Sequence, residues 1–471
     1  MSKTFFEISR LEHFYRPVEE RLQDFREVEC QVPGEEVRLR ARRCQNCGLP
    51  YCHAMGCPLM NHIPEMNKAV MMGDWKEAWE RLAETSPFPE FTSRVCPALC
   101  EAACCLEGVD YGATNIRLVE KAITDNAYAQ GWVTPQPPSR RTGKAFAVVG
   151  AGPAGLAAAV ALNRAGHSVT LFDRNLFPGG LLQYGIPCFK LDKAVVQRRW
   201  KLMEAAGIQF QGGAEIGKDI SGNYLLKHFQ GVVVANGTPI PRELKVPGRE
   251  LPQVYQALDF LGGMNRAATG ELPQAPISAK GKRVLVIGGG DTGSDCAGTS
   301  LRQGALSAVS IDVMPKPPAQ RSPKTPWPLW PYKLRSSYAV EEGMERHWSL
   351  NTLRILGENG KVVGAEVVPV AWEYAENGRP VKFAPAGVAR VIPCDMVVLA
   401  MGFLKQSREQ VLAQLGLPDQ PNVVLAGDAA SGPSLVVRAI ADGLKVASQM
   451  AEPGKEGKAQ EPRWRQDVTS V

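Results

Sequence analysis

Apolar residues over roughly the first 140 positions recur three and four apart. "MNKAVMMGDWKEAWERLAETSP" and "NIRLVEKAITDNAYAQG" both carry this period, which predicts amphipathic helices. No strand-like alternation of useful length interrupts them. The stretch "TPQPPSRRTGK" then predicts a linker, because clustered prolines and polar residues cannot continue a helix. From Lys144 the texture changes. "AFAVVGAGPAGLAAAVALNRAGHSVTLFD" is an apolar strand, a glycine turn, a helix and a second strand. The design recurs about 140 residues later in "KRVLVIGGGDTGSDCAGTSLRQGALSAVSIDV". Two further apolar strands, "GVVVANGT" and "DMVVLAMGF", end in glycine. Residues 453–471 are charged and are expected to be a disordered tail.

Composition narrows the classes. The chain has 471 residues, 44% hydrophobic and 22% charged, enough for two or three globular domains. A net charge of +6 is mild, and no dense Lys/Arg block points to nucleic acid. The N-terminus, "MSKTFFEISRLEHFY", lacks the apolar core of a secretory signal, and no apolar span is long enough to cross a bilayer. A soluble cytoplasmic protein is expected, and there twelve cysteines are not a disulfide framework. Nine of the twelve lie between Cys30 and Cys105; Cys188, Cys296 and Cys394 stand singly in apolar surroundings and read as small buried hydrophobes.

The first glycine turn holds Gly150, Gly152 and Gly155, with Asp173 ending the next strand. The first glycine permits the tight turn, the second lets a pyrophosphate approach the backbone, and the third lets helix and strand pack closely. The helix N-terminus faces the anion, and the acid can bond a ribose diol. The second turn repeats this with Gly288, Gly290, Asp291 and Gly293, and Asp312 on the following strand. No arginine pair follows that strand to grip a 2′-phosphate, so Asp312 leans towards NADH, while Lys316 keeps NADPH open. Two such units suggest two bound dinucleotides, and a flavoprotein reductase needs FAD and a nicotinamide nucleotide held face to face. Hydride passes directly between them, and no catalytic acid–base residue is expected.

The pattern resembles the flavoproteins with two dinucleotide-binding domains, in which the first motif holds FAD and an inserted second one holds NAD(P)H. Two later segments match. "GGLLQYGIP", with Gly180 and Leu181, resembles the loop that approaches the flavin. "VVLAGDAASGPSLVVRAIADG" resembles the late G-D motif, in which Gly427 and Asp428 meet the flavin's ribityl chain.

The clustered cysteines form two groups. Cys44, Cys47, Cys52 and Cys57 are spaced C-x2-C-x4-C-x4-C, and Cys96, Cys100 and Cys104 are spaced C-x3-C-x3-C. Soft thiolates at these spacings suit zinc or iron–sulfur. A flavin reductase in the same chain favours iron–sulfur, since a reduced flavin can release electrons singly and zinc accepts none. Seven cysteines are one ligand short of two four-ligand clusters.

With "CPLMNHIPEMNKA", "PFPEFTSRVCPALCEAAC", "GGGDTGSDCAGTSLRQGA" and "PWPLWPYKLRSSYAVEEG", the chain from about 20 to 450 resembles the NAD(P)H-dependent glutamate synthase small (β) subunit family. Its N-terminal region is also similar to the corresponding half of dihydropyrimidine dehydrogenase. The resemblance implies two [4Fe–4S] clusters with interleaved ligands: Cys44, Cys47, Cys52 and Cys104 on one, Cys57, Cys96, Cys100 and Glu120 on the other. It implies an α/β fold of two Rossmann-like domains, one inserted in the other, behind an all-α iron–sulfur domain. The expected division is 1–140 for the clusters, 141–245 with 390–452 for FAD, and 246–389 for NAD(P)H.

The implied function is electron input: NAD(P)H to FAD, through the clusters, to a large (α) subunit that carries FMN and makes glutamate from 2-oxoglutarate and glutamine. The same module could serve a pyrimidine-reducing partner, a ferredoxin or a sulfur compound. A non-catalytic iron–sulfur redox sensor is the reading from another class. Three features depart from the family pattern. The Cys52–Cys57 gap is one residue longer than the C-x3-C of the family, Cys105 is an extra thiol able to compete with Cys104, and the segment from Gly402 to Gly427 is short for the strand expected there.

Overall fold

The structure is a computed structural model that describes residues 7–12, 14–109, 111–375 and 380–451. The tail expected at 453–471 lies outside the described residues. The N-terminal region is helical, as its periodicity requires. Helices Ile63–Met72, Trp75–Ala83, Pro89–Val95 and Ile116–Ala129 close on a core of Val37, Ile63, Met66, Val70, Leu82, Ile116, Val119 and Ile123. Local chemistry sets their ends: Gly73 takes the left-handed conformation (φ 86°) that stops the first helix, and the Asp74 side chain accepts from Glu77 N to start the next.

Each glycine-turn unit becomes the centre of a five-stranded parallel sheet. The first runs Val423–Leu425, Gly231–Val234, Ala145–Val149, Ser168–Asp173, Gln209–Gly212. The second runs Val254–Gln256, Met396–Leu399, Arg283–Ile287, Ser307–Ile311, Glu345–His347. Helices cover both faces, so the central strands are buried throughout and read as unbroken apolar runs. The insertion also carries an antiparallel sheet that the sequence did not suggest, built on Lys361–Tyr374 with Leu350–Glu358, Pro380–Pro385 and Arg390–Pro393.

That sheet and its neighbour move one boundary. Residues 390–399 were expected in the first lobe, but Arg390–Pro393 pairs with Lys361–Tyr374 and Met396–Leu399 pairs with Val254–Gln256 and Arg283–Ile287. Asp395 pins this register by accepting from the Arg283 backbone N–H (2.8 Å) and its guanidinium (2.7 and 3.0 Å). The chain therefore re-enters the first lobe only after Leu399. The segment from Gly402 to Gly427 also proves sufficient. Ser407 and Gln410 form a capping box on helix Arg408–Leu415, and Val423–Leu425 completes the sheet edge.

Candidate functional site

The two glycine turns are built alike. Gly150 N donates to Phe172 O (2.7 Å) and Gly288 N to Ile311 O (2.8 Å), so each turn hangs on the neighbouring strand. Both first glycines are left-handed, Gly150 at φ 103° and Gly288 at φ 124°. A Cβ on Gly155 would stand 1.9 Å from Gly150 O, and one on Gly293 2.2 Å from Gly288 O, which explains the third glycine. The middle glycines differ. A Cβ on Gly290 would meet nothing within 4 Å, and one on Gly152 only Gly180 Cα at 3.9 Å. These two positions open outward at the starts of helices Pro153–Arg164 and Asp291–Arg302, the place for an anionic phosphate.

Both strand-end acids brace their own turns. Asp173 accepts from Ala151 N (2.8 Å) and Asn175 N (2.8 Å); Asp312 accepts from Gly289 N (3.2 Å) and Met314 N (2.9 Å). Spacing alone suggested a ribose contact and did not show this second task.

The later segments converge on the first turn. Gly179 N donates to Ala151 O (2.8 Å), and Gly180, at φ 52°, packs so closely that a Cβ would lie 2.7 Å from Gly152 Cα. Leu181, half exposed, opens the short helix Leu181–Tyr184 beside it. Gly427, at φ 63°, packs on Ala154, and its N–H donates to Asp442 (2.7 Å). Asp428 accepts from Ser434 Oγ (2.6 Å), and burial raises its carboxyl above the usual range. These residues fit an extended dinucleotide: an open glycine cradle, a loop over it, and a buried carboxylate at the far end.

The two glycine-turn lobes are tied together by groups the sequence reading missed. Lys190, on the loop after Leu181–Tyr184, donates to Asp295 of helix Asp291–Arg302 at 2.9 Å, and Tyr338 Oη donates to the same carboxylate at 2.6 Å. No sequence signal marks a pair so far apart.

Strand Glu345–His347 sets Arg346 opposite Ser310, and both Arg346 and Lys316 lie 5.2 Å from the Trp348 ring. Arg346 stands on the strand beside Ser307–Ile311, not after Asp312 in sequence.

Cys44, Cys47, Cys52 and Cys104 line one cavity with Ile63, Leu106 and other neighbours. Cys57, Cys96 and Cys100 each feel the charge of Glu120. The long Cys52–Cys57 gap is absorbed by a π-helical turn, Cys52–Gly56, which accommodates one residue more than an α turn. Gly56 then seats on Cys100, where a Cβ would be 2.7 Å from its Cα. Cys105 lines the same cavity as Cys44, Cys47, Cys52 and Cys104, so the extra thiol is placed beside them.

Burial pushes the Cys44 and Cys57 thiols up to about 11 and Cys96 to about 12, and raises Cys52 and Cys100 as well. Glu120 is buried, and desolvation pushes its carboxyl up to about 7 although the Thr92 hydroxyl donates to it. Thiolates are costly in such a place unless a metal supplies the compensating charge. Among the described residues no three His, Cys, Asp or Glu groups converge on one point as a lone zinc ion needs.

Comparison with known proteins agrees. Residues 21–132 match the family described as dihydropyrimidine dehydrogenase domain II, 4Fe-4S cluster, and residues 144–324 match pyridine nucleotide-disulphide oxidoreductase. The glutamate synthase [NADPH] small chain of Mycobacterium tuberculosis is 45% identical over 453 residues, covering 92% of this chain and 91% of that one. The Bacillus subtilis protein of the same name is 38% identical, covering 95% and 97%. The glutamate synthase [NADH] of Schizosaccharomyces pombe is 40% identical over 94% of this chain, a match to 22% of its own length. Among solved structures, the M. tuberculosis oxidoreductase FprA shares the fold (TM-score 0.53, 19% identity, 67% of this chain and 84% of that one). With that similarity running through both glycine turns and both cysteine groups, the chain belongs to the glutamate synthase small-chain family.

Proposed function

We propose that this chain is the electron-input subunit of a glutamate synthase, oxidising NADPH and delivering electrons one at a time to a large subunit. The observation that carries this is the presence, in one chain, of two outward-opening glycine cradles and a cavity lined by Cys44, Cys47, Cys52 and Cys104. Gly150, Gly152, Gly155, Asp173, Gly180, Leu181, Gly427 and Asp428 would hold FAD. Gly288, Gly290, Asp291, Gly293 and Asp312 would hold the nicotinamide nucleotide. Cys44, Cys47, Cys52 and Cys104 would hold one [4Fe–4S] cluster, and Cys57, Cys96, Cys100 and Glu120 the other. Bound FAD would supply the conversion of a two-electron donor into single electrons.

The protein's own part is positional. The paired turns face the two nucleotides, the Lys190–Asp295 bridge sets the lobes against each other, and the buried thiols wait for metal charge. Lys316 and Arg346 beside Trp348 provide cations suited to a 2′-phosphate, and the relatives named for NADPH support that choice over NADH. Among the described residues no helix is long and apolar enough to cross a membrane. The partner proposed is a large chain bearing FMN and the glutamate-forming sites, as the small-chain name of the relatives suggests.

Anaerobic preparation should give about eight irons, eight sulfides and one FAD per chain, the content that two cubes and one flavin require. NADPH should bleach the flavin rapidly. The isolated chain should reduce artificial acceptors and form no glutamate from glutamine. Flavin without acid-labile sulfide would overturn the proposal.

A further inference from the structure

Residues 313–337 join strand Ser307–Ile311 and Asp312 to helix Tyr338–Glu341 with no helix or strand of their own. So long an irregular segment in a compact domain calls for a functional reason. It is ordered by its own bonds: Leu334 N donates to Pro318 O (2.7 Å), Ser322 N to Tyr332 O (3.2 Å), and the Arg321 guanidinium to Leu329 O (2.6 Å).

The tip of this strap leaves its own lobe and lands on the cysteine domain. The Trp327 indole N–H donates to the carbonyl of Cys104 at 3.0 Å. Its ring lies 4.7 Å from that of Tyr51, and a Cβ on Gly108 would stand 2.9 Å from the indole. Arg321 donates to Ala102 O at 3.1 Å, and Lys333 lies 3.5 Å from Glu107. The turn 102–108 is thus held from outside by three strap residues, while its inner side puts Cys104 and Leu106 into the cavity of Cys44, Cys47 and Cys52. Cys104 is the member of that group supplied by the distant segment, and the helix before it, Leu99–Ala102, is a single turn.

Both roots of the strap lie at the second glycine turn. One is Asp312, which accepts from Gly289 N. At the other, Tyr338, which opens the helix after the strap, donates its hydroxyl to Asp295 on the helix after that turn (2.6 Å), and Arg346 donates to Arg335 O (2.9 Å).

We propose that Trp327 is a positioning residue for Cys104, and that the strap couples nucleotide occupancy of the second glycine turn to the cluster held by Cys44, Cys47, Cys52 and Cys104. This rests on the ligand grouping proposed above. Coupling of this kind is reciprocal: a nucleotide that steadies the strap steadies the cluster, and the cluster favours the nucleotide.

The test is iron release from the anaerobic holoenzyme under a chelator, with and without saturating NADP+. In the wild type NADP+ should slow the loss of four irons several-fold. Trp327→Phe keeps an aromatic ring and removes the donor; those four irons should leave about ten times faster and NADP+ should no longer slow them. FAD and the other four irons should remain. Arg321→Gln, which leaves the indole packing intact, should act the same way more weakly. NADP+ should also perturb the electron paramagnetic resonance signal of the reduced first cluster in the wild type and not in Trp327→Phe, a change that a mere loss of folding stability would not produce. Wild-type release that ignores NADP+, or Trp327→Phe that releases iron at the wild-type rate or keeps the protection, overturns the proposal. Cys104→Ser separates the two levels: it should cost the same four irons, and full retention would instead refute the ligand grouping.

Discussion

Replacing Gly152 and Gly155 by alanine should separate binding from folding, although both lie in one turn. At Gly155 a methyl carbon would sit 1.9 Å from Gly150 O and 3.0 Å from its carbonyl carbon. Both are backbone atoms that cannot swing aside, so strand and helix must part, at a cost of about 1–3 kcal/mol or more. At Gly152 the nearest atom would be 3.9 Å away, and the backbone there (φ −76°, ψ −177°) is extended and open to any residue. Gly152→Ala should therefore leave the flavin-stripped protein as stable as the wild type. Its methyl would occupy the approach of the pyrophosphate. Losing one or two hydrogen bonds to a charged phosphate, about 1.5–3 kcal/mol each, weakens FAD roughly 10- to 100-fold or more. Denaturant unfolding of the stripped protein and titration of FAD by fluorescence quenching measure the two effects separately. The matching Gly290→Ala, where a Cβ meets nothing within 4 Å, should retain FAD and raise KM for the nicotinamide nucleotide. The reasoning fails if Gly152→Ala binds FAD normally, or if Gly155→Ala unfolds at the wild-type midpoint.

Four further outcomes follow from the same geometry. Arg346→Ala and Lys316→Ala should each raise KM for NADPH about ten-fold, the scale of one lost charge-assisted bond, and leave KM for NADH and kcat unchanged. Asp295→Asn strips the counter-charge from Lys190, whose side chain is about a quarter exposed, so the cost should sit near the low end for a buried pair, about 3 kcal/mol by denaturant midpoint; Lys190→Met in the same chain should restore part of it. Glu120→Ala should halve the iron content by removing one cluster, and Glu120→Cys should restore it, as counted by iron assay on anaerobic protein. Cys105→Ser should keep all eight irons, since Cys44, Cys47, Cys52 and Cys104 already offer four thiols to the cavity it shares.

Much of this molecule was written in local order. The helical period of 63–129, the glycine spacing at 150–155 and 288–293 and the thiol spacing at 44–104 each depend on neighbours a few residues apart, and the structure returns them where the pattern put them. Tertiary structure decided what depends on register and on distant partners. "DMVVLAMGF" is a recognisable strand, yet only pairing with Val254–Gln256 and Arg283–Ile287 assigns it to the second sheet. Arg346 comes to lie opposite Ser310 only through a strand pair, and Trp327 meets Cys104 over 223 positions of chain. Periodicity and spacing report the short-range geometry of a backbone. Which remote side chains finally touch is set by how sheets, turns and strap pack, and no local pattern encodes that.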